Sequence, residues 1–204
     1  MTGVSPRKQP IQERSRATVD AILQAAGQVL ATHGFAAATT HRIAERAGCS
    51  VGTLYQYFRK KEAVFAELQR RELNTLVENL VVAREEMRES PLDAAIERLV
   101  DVLLGTFTKK PQVARALAEN RSQILDPEEE LERHTFLQQL LTAGLREREE
   151  PLLIEDYELA TFVIVKTSEA VSVAAVVERP EALKDGSLKR ELAALFRRYL
   201  TGTQ

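Results

Sequence analysis

The sequence predicts an all-α protein with an N-terminal three-helix helix-turn-helix domain and a larger C-terminal helical domain. Three observations support this prediction. About half of the 204 residues are Ala, Leu, Glu, Arg or Lys, a composition typical of long helices. Apolar residues recur at spacings of three and four, as they do on the buried face of a helix. Proline, glycine and capping residues divide this pattern into about nine helices.

The first three predicted helices are separated by glycines and hydroxyl side chains. The first spans residues 14–33, and Gly34 ends it in the manner of a left-handed C-cap. A threonine pair beginning at Thr39 can cap the second helix. Ser50 can cap the third, which spans 51–57. That third helix is barely two turns long, so it needs packing against the first helix to be stable.

Proline residues mark most boundaries of the six longer helices that follow. These helices are predicted to cover residues 60–89, 91–108, 111–125, 127–149, 155–178 and 187–201. The helix over 155–178 is apolar nearly all round, but Lys166 and Glu169 interrupt it. We therefore expect a buried helix there rather than a membrane span.

Charge divides the chain near Glu62. Residues 1–62 contain nine Lys or Arg and four acidic residues, whereas 63–204 contain nineteen and twenty-six, so the net charges are +5 and −7. A basic head is suited to a polyanionic partner, although chance clustering would give the same asymmetry. We expect two domains, over 1–62 and 63–204. The single cysteine and the lack of an apolar leader favour a cytoplasmic protein.

Residues 39–68 read TTHRIAERAGCSVGTLYQYFRKKEAVFAEL. Two short helices joined through Gly48 form a helix-turn-helix, and Leu54 and Phe58 anchor the second helix. The rest of that helix is then free to meet a DNA groove. The stretch resembles the TetR/AcrR family of transcriptional regulators. It departs from the family pattern at Cys49, where Val or Ile is frequent, and at Lys60, where Asn is common.

The resemblance implies a role in DNA binding for particular side chains. Base-facing positions are His41, Val51, Gly52, Thr53 and Tyr55, and phosphate-contacting positions are Thr40, Gln56, Tyr57 and Lys61; Ser50 joins them at the turn. Because the reading helix has neither Arg nor Asn, Arg42 or the arm formed by Arg7 and Lys8 is an alternative source of base or minor-groove contacts. Ordinary surface or packing roles remain the alternative for the tyrosines and for His41.

The predicted helix over 155–178 carries apolar residues on more than one face, and the helix over 187–201 carries them along one stripe. A second copy could therefore cover both in a four-helix bundle, as in TetR-like proteins. The predicted dimer interface comprises Phe162, Val173, Val177, Leu188, Leu192, Leu195, Phe196 and Tyr199. Polar groups among apolar residues predict a ligand pocket lined by Phe107, Phe136, Gln139, Phe162, Lys166, Thr167, Ser168 and Glu169. Lys166 and Glu169 could instead simply pair with each other.

The function implied by the resemblance is a dimeric repressor that binds a palindromic double-stranded DNA operator and is released by a small-molecule inducer. A two-fold dimer presents its reading helices about 34 to 36 Å apart, one turn of DNA. No cofactor, metal or membrane partner is expected. One alternative is a helical dimer whose basic head contacts a protein. Another is an enzyme, for which three scattered histidines and one cysteine are a poor supply.

Overall fold

The computed structural model describes residues 13–202. Within that range all regular secondary structure is helical and there is no strand, which confirms the all-α class. The helices are α1 Glu13–Ala37, α2 Thr40–Arg46, α3 Val51–Tyr57, α4 Lys61–Glu89, α5 Leu92–Lys109, α6 Pro111–Glu119, α7 Arg121–Ile124, α8 Pro127–Arg146, α9 Tyr157–Glu178, α10 Pro180–Lys184 and α11 Ser187–Thr201.

The described residues form eleven helices rather than about nine, because one predicted helix is divided in two and one short helix was not predicted. Gly34 has φ 72° and ψ 171°, and one more helical turn follows this kink before α1 ends. The segment predicted as one helix over 111–125 is divided at Asn120, whose side-chain amide donates to the carbonyl of Ala116 at 2.8 Å. Pro180 begins the additional helix α10, because proline suits the first helical position.

Hydroxyl and carboxylate caps define three helix starts. The Thr39 side chain accepts from the backbone N–H of Arg42 at 3.2 Å, and Ser50 accepts from that of Thr53 at 2.9 Å. Asp156 caps α9 in the same way. These bonds satisfy backbone donors that have no partner within the helix. The predicted caps of α2 and α3 are thus confirmed.

The helices form two compact units. Of the described residues, unit 1 contains those up to Leu73 together with Gln112–Glu130, and unit 2 contains Asn74–Pro111 and those from Leu131 onward. The core of unit 1 includes the fully buried Leu54 and Phe58 of the short helix α3. Burial of these two side chains explains how a seven-residue helix is kept folded.

Unit 2 is organised around α5, which packs against both α9 and α11. Its core includes Val100, Ile164, Phe196 and Leu200. By length and composition α9 could cross a membrane, since it has 22 residues and a mean hydropathy of 1.6 over its most apolar window. Residues buried inside the protein make up 39% of that window, and a single such helix is no evidence for a membrane.

Candidate functional site

The turn between α2 and α3 sets the direction in which α3 leaves the core of unit 1. Gly48 has φ 67°, a left-handed conformation that other residues adopt at a cost, and the N–H of Cys49 donates to the carbonyl of Ala44 at 3.0 Å. Leu54 and Phe58 then hold α3 against α1 and α4 residues in the same core. The opposite side of α3 is left at the surface.

The predicted DNA contacts on α3 fall into two groups, which differ in solvent exposure. Gly52, Tyr55 and Gln56 are exposed, whereas Val51, Thr53 and Tyr57 are half-buried. Val51 and Tyr57 pack partly against the unit 1 core. These six residues therefore form a short surface strip, in which Gly52, Tyr55 and Gln56 are the most accessible.

Hydrogen bonds orient both tyrosines of the strip. The hydroxyl of Tyr55 lies 3.2 Å from Oγ1 of Thr40, and the hydroxyl of Tyr57 lies 3.0 Å from Oγ of Ser15. The first bond joins α3 to the start of α2 and the second joins α3 to α1. Each phenol oxygen keeps capacity for a further hydrogen bond, so both could still meet a phosphate.

The other predicted DNA contacts, on α2 and at the turn, differ in how far their polar groups already form hydrogen bonds within the protein. His41 is exposed. Arg42 is also exposed, but its guanidinium donates to the carbonyl of Ala37 at 2.6 Å. Ser50 uses its hydroxyl as the α3 cap and also lies 2.9 Å from the hydroxyl of Thr53. The arm formed by Arg7 and Lys8 lies outside the described residues.

Lys61 has a structural contact that the sequence pattern did not indicate. Its ammonium donates to the carbonyls of Phe35 at 2.8 Å and Ala36 at 3.4 Å, and it lies 4.6 Å from the centroid of the Phe35 ring. The bonds tie the first residue of α4 to the last turn of α1. An ammonium has three donors, so one remains for a phosphate. The neighbouring Arg59 and Lys60 are exposed cations.

Cys49 lies half-buried at the turn and packs against the unit 1 core. Burial raises the pKa of its thiol, which lowers the fraction of reactive thiolate at neutral pH. This favours the packing role over a redox role. Among residues 13–202, no group of three or more His, Cys, Asp or Glu side chains is arranged to hold a metal ion.

The predicted ligand-binding residues are spread over unit 2. Phe136 and Phe162 are exposed, Phe107 is half-buried against a small cluster, and Ser168 is buried. Lys166 and Glu169 form an ion pair at 3.7 Å, as their alternative role predicted. Gln139 lines a polar groove of α8 and α9. The structure does not bring these residues together around one cavity among the described side chains.

Unit 2 has a different, apolar cavity that sequence reasoning missed. It is lined by residues of α4, α5, α8, α9 and α11, among them Leu80, Ile96, Leu141 and Ile164. These residues look like ordinary core positions in the sequence. Only their packing shows that space is left between them.

The predicted dimer interface falls into three groups. Phe162, Val177, Leu195 and Tyr199 are exposed, and Val173 and Leu188 are half-buried. Leu192 and Phe196 are only 3% and 1% exposed, because they form part of the chain's own core on the other side of α11. Those two residues are therefore corrected from interface to core.

Comparison with known families gives two matches. Residues 22–68 match the family described as bacterial regulatory proteins, tetR family. Residues 91–200, more than half of the chain, match the tetracyclin repressor-like C-terminal domain. No curated protein sequence matches the chain significantly.

Several solved structures share this fold. The fatty acid degradation regulator FadR from Bacillus halodurans is 26% identical, with a TM-score of 0.68 over 93% of this chain and 95% of that one. SmeT, the repressor of the Stenotrophomonas maltophilia multidrug efflux pump SmeDEF, is 23% identical, with a TM-score of 0.63 over 91% and 93%. A transcriptional regulator from Rhodococcus is 19% identical, with a TM-score of 0.73 over 89% and 95%.

The two family matches agree with the helix-turn-helix and the helical body described above. Regulators of this family bind DNA and typically dimerise and respond to small molecules. The chain therefore belongs to the tetR family of bacterial regulatory proteins and is a DNA-binding transcription regulator rather than an enzyme.

Proposed function

We propose that this protein is a cytoplasmic repressor that binds a palindromic operator as a homodimer and is released by a small-molecule inducer. Residues 1–62 form its DNA-binding domain, and residues 63–204 form its effector-binding and dimerisation domain. The observation that carries the proposal is the surface strip on α3, held in place by the buried Leu54 and Phe58. The description of SmeT as a repressor supports the direction of regulation.

The proposed DNA contacts follow the placement of the side chains. Gly52 and Tyr55 are exposed on α3 and face the bases together with His41, Val51 and Thr53. Thr40, Ser50, Gln56, Tyr57 and Lys61 surround them and contact phosphates, and Arg42 adds a cation at the edge. Hydroxyl, amide and ammonium groups donate to phosphate oxygens, and methyl groups contact thymine.

Replacing Gly52 with Ala is expected to separate protein stability from DNA binding. A Cβ at this position would meet only Ser50 Oγ at 3.6 Å, an ordinary contact, so the fold has no steric need for glycine there. We expect the Gly52→Ala variant to be more stable by about 0.5 to 1 kcal/mol, through helix propensity. Its DNA affinity should fall about tenfold or more, because the methyl group holds the backbone away from the bases.

Urea denaturation and fluorescence anisotropy on a duplex selected from a random library would measure both effects. The matched control is Gly105→Ala in the interior of α5, where a Cβ also meets open space. The control should gain stability and keep its DNA affinity. Unchanged affinity in the Gly52→Ala variant would remove position 52 from the interface.

Salt dependence distinguishes DNA from a protein partner of the basic head. Each phosphate contact contributes about −0.9 to the slope of log affinity against log salt, whereas a largely apolar protein interface responds weakly. We expect Lys61→Ala to flatten this slope by about one unit per half-site. It should also destabilise the protein by about 1 to 2 kcal/mol, because its contacts with Phe35 and Ala36 are lost.

Lys60→Ala is the natural comparison, since Lys60 is exposed and precedes Lys61 in the sequence. This variant should leave stability within about 0.5 kcal/mol of the parent. Equal slopes for the parent and the Lys61→Ala variant, together with reduced stability, would restrict Lys61 to its structural role. A slope near zero for the parent would favour the protein-binding alternative.

A further inference from the structure

The apolar cavity of unit 2 is built by five helices and has a volume of about 70 Å³. Its walls are mostly aliphatic, and Met87 adds a flexible thioether side chain. Representative wall residues from α4, α5, α8 and α9 are Leu80, Leu99, Leu141 and Ile164. The interior therefore offers apolar contact and few polar partners.

The arginines that line the cavity are engaged within the protein. Arg84 pairs with Glu147, and Arg88 pairs with Glu85 at 3.1 Å. Arg148 pairs with Glu150 and donates to the carbonyls of Met87 at 2.6 Å and Ser90 at 2.8 Å.

The pair of Arg148 and Glu150 beside the cavity keeps its charges at neutral pH. The hydrogen bond from Arg148 lowers the pKa of Glu150, so that carboxylate stays ionised. Thr161, the neutral polar residue of the lining, shares a buried hydrogen bond of 2.9 Å with Thr142. A charged group entering the cavity would have to displace one of these partners or lose its own hydration.

Packing does not require a glycine at position 144. Gly144 lies inside α8 and lines the cavity, and a Cβ built on it meets no atom within 4 Å. Glycine in a helix interior costs stability relative to alanine, and an empty apolar volume costs more. Apolar cavities that stay dry bind small apolar molecules.

We propose that this cavity binds an uncharged apolar molecule, and that this molecule is the effector; the regulatory part rests on the proposed function. The empty volume suits a ligand of a few carbon atoms, and a longer one requires Met87 and the leucines to change rotamer. Leu80, Arg84 and Met87 of α4 touch this space, and α4 begins at Lys61, directly after the helix-turn-helix in the sequence. A bound molecule thus acts on the helix that follows the DNA-binding segment.

The ligand class is tested with three probes that share one carbon chain: 1-hexanol, hexanoate and hexylammonium. Their binding to the full-length protein is measured by isothermal titration calorimetry without DNA. We expect hexanol to bind about tenfold or more tighter than either ion, because the ions break internal pairs. Going from butanol to hexanol should strengthen binding by at most about fourfold per methylene, because the rotamer changes that make room for the longer chain reduce the gain. Equal or tighter binding of hexanoate or hexylammonium, or no binding of the alcohols, would overturn the proposal.

The location is tested by filling the cavity. Gly144→Leu should weaken hexanol binding about tenfold or more, since its side chain occupies the proposed site. Gly105→Leu is the matched control: the same substitution in a helix interior, with open space for the Cβ, at a residue that does not line the cavity. It should leave hexanol affinity unchanged. Gly144→Ala is the milder variant and replaces Gly144→Leu in the test if the larger side chain impairs folding. It should also weaken hexanol binding, but by less than Gly144→Leu.

Equal losses at Gly144 and Gly105, or no loss at Gly144, would place hexanol elsewhere. Duplex binding is measured separately, with and without saturating hexanol. Weaker duplex binding supports the effector role. Unchanged duplex binding by a protein that binds hexanol in this cavity would retain the site and its ligand class but refute the effector role.

Discussion

Replacing Leu195 with Glu is expected to convert the proposed dimer to a monomer of 22.8 kDa. Leu195 on α11 is 48% exposed, and Phe162 on α9 is 47% exposed, although both are large apolar residues. In a two-fold interface each substitution occurs twice, so two carboxylates lose their hydration together. Phe162→Glu should have the same effect.

The loss of the dimer should also lower operator affinity by about a hundredfold or more, because a single reading helix contacts only one half-site. Sedimentation velocity gives the mass, and anisotropy on the selected duplex gives the affinity. Val82→Glu is the control, since Val82 is 65% exposed on α4, outside the proposed interface. A Leu195→Glu variant that stayed dimeric and bound DNA normally would refute the proposed pairing of α9 and α11.

Replacing Phe58 with Ala is expected to destabilise unit 1 by about 3 to 5 kcal/mol. Phe58 is fully buried beside Leu54 and anchors the end of α3. A loss of this size is a large part of the about 5 to 15 kcal/mol that stabilises a typical domain. Since α3 has only seven residues, we expect it to lose helical structure when one of its two buried anchors is removed.

Hydrogen exchange read by mass spectrometry would localise the effect of Phe58→Ala. Peptides covering residues 40–66 should lose protection, whereas peptides of α5, which belong to the separate core of unit 2, should retain it. Tyr55→Ala is the control, because Tyr55 is 42% exposed on the same helix. It should lose DNA affinity with little change in exchange. Protection in α3 unaffected by Phe58→Ala would show that another contact holds the helix.

The helix starts show how far local sequence determined the structure. Thr39 and Ser50 cap their helices through bonds to backbone groups three residues away, and such bonds depend on few neighbours. The bounds of α4 were also predicted closely: the predicted helix covers 60–89, and the observed helix runs from Lys61 to Glu89. The stretch 39–68 also carried enough of the family pattern to indicate the fold and the DNA-binding role, which the family matches confirmed.

Residue roles that depend on distant partners could not be predicted in this way. Helical periodicity identifies Leu192, Leu195, Phe196 and Tyr199 as apolar positions of α11, but not which of them face the chain's own core. The first and third are buried and the other two are exposed, because α5 covers only one side of α11. Likewise, the carbonyl that Lys61 binds belongs to a residue 26 positions earlier.

By itself, the sequence determined the helices, their caps and the short motif that meets DNA, because these depend on hydrogen bonds and spacings within a few turns. Tertiary structure alone decided which apolar faces remain exposed and where the apolar cavity of unit 2 lies. This cavity is the volume that side chains from five separate helices fail to fill, so no local pattern encodes it.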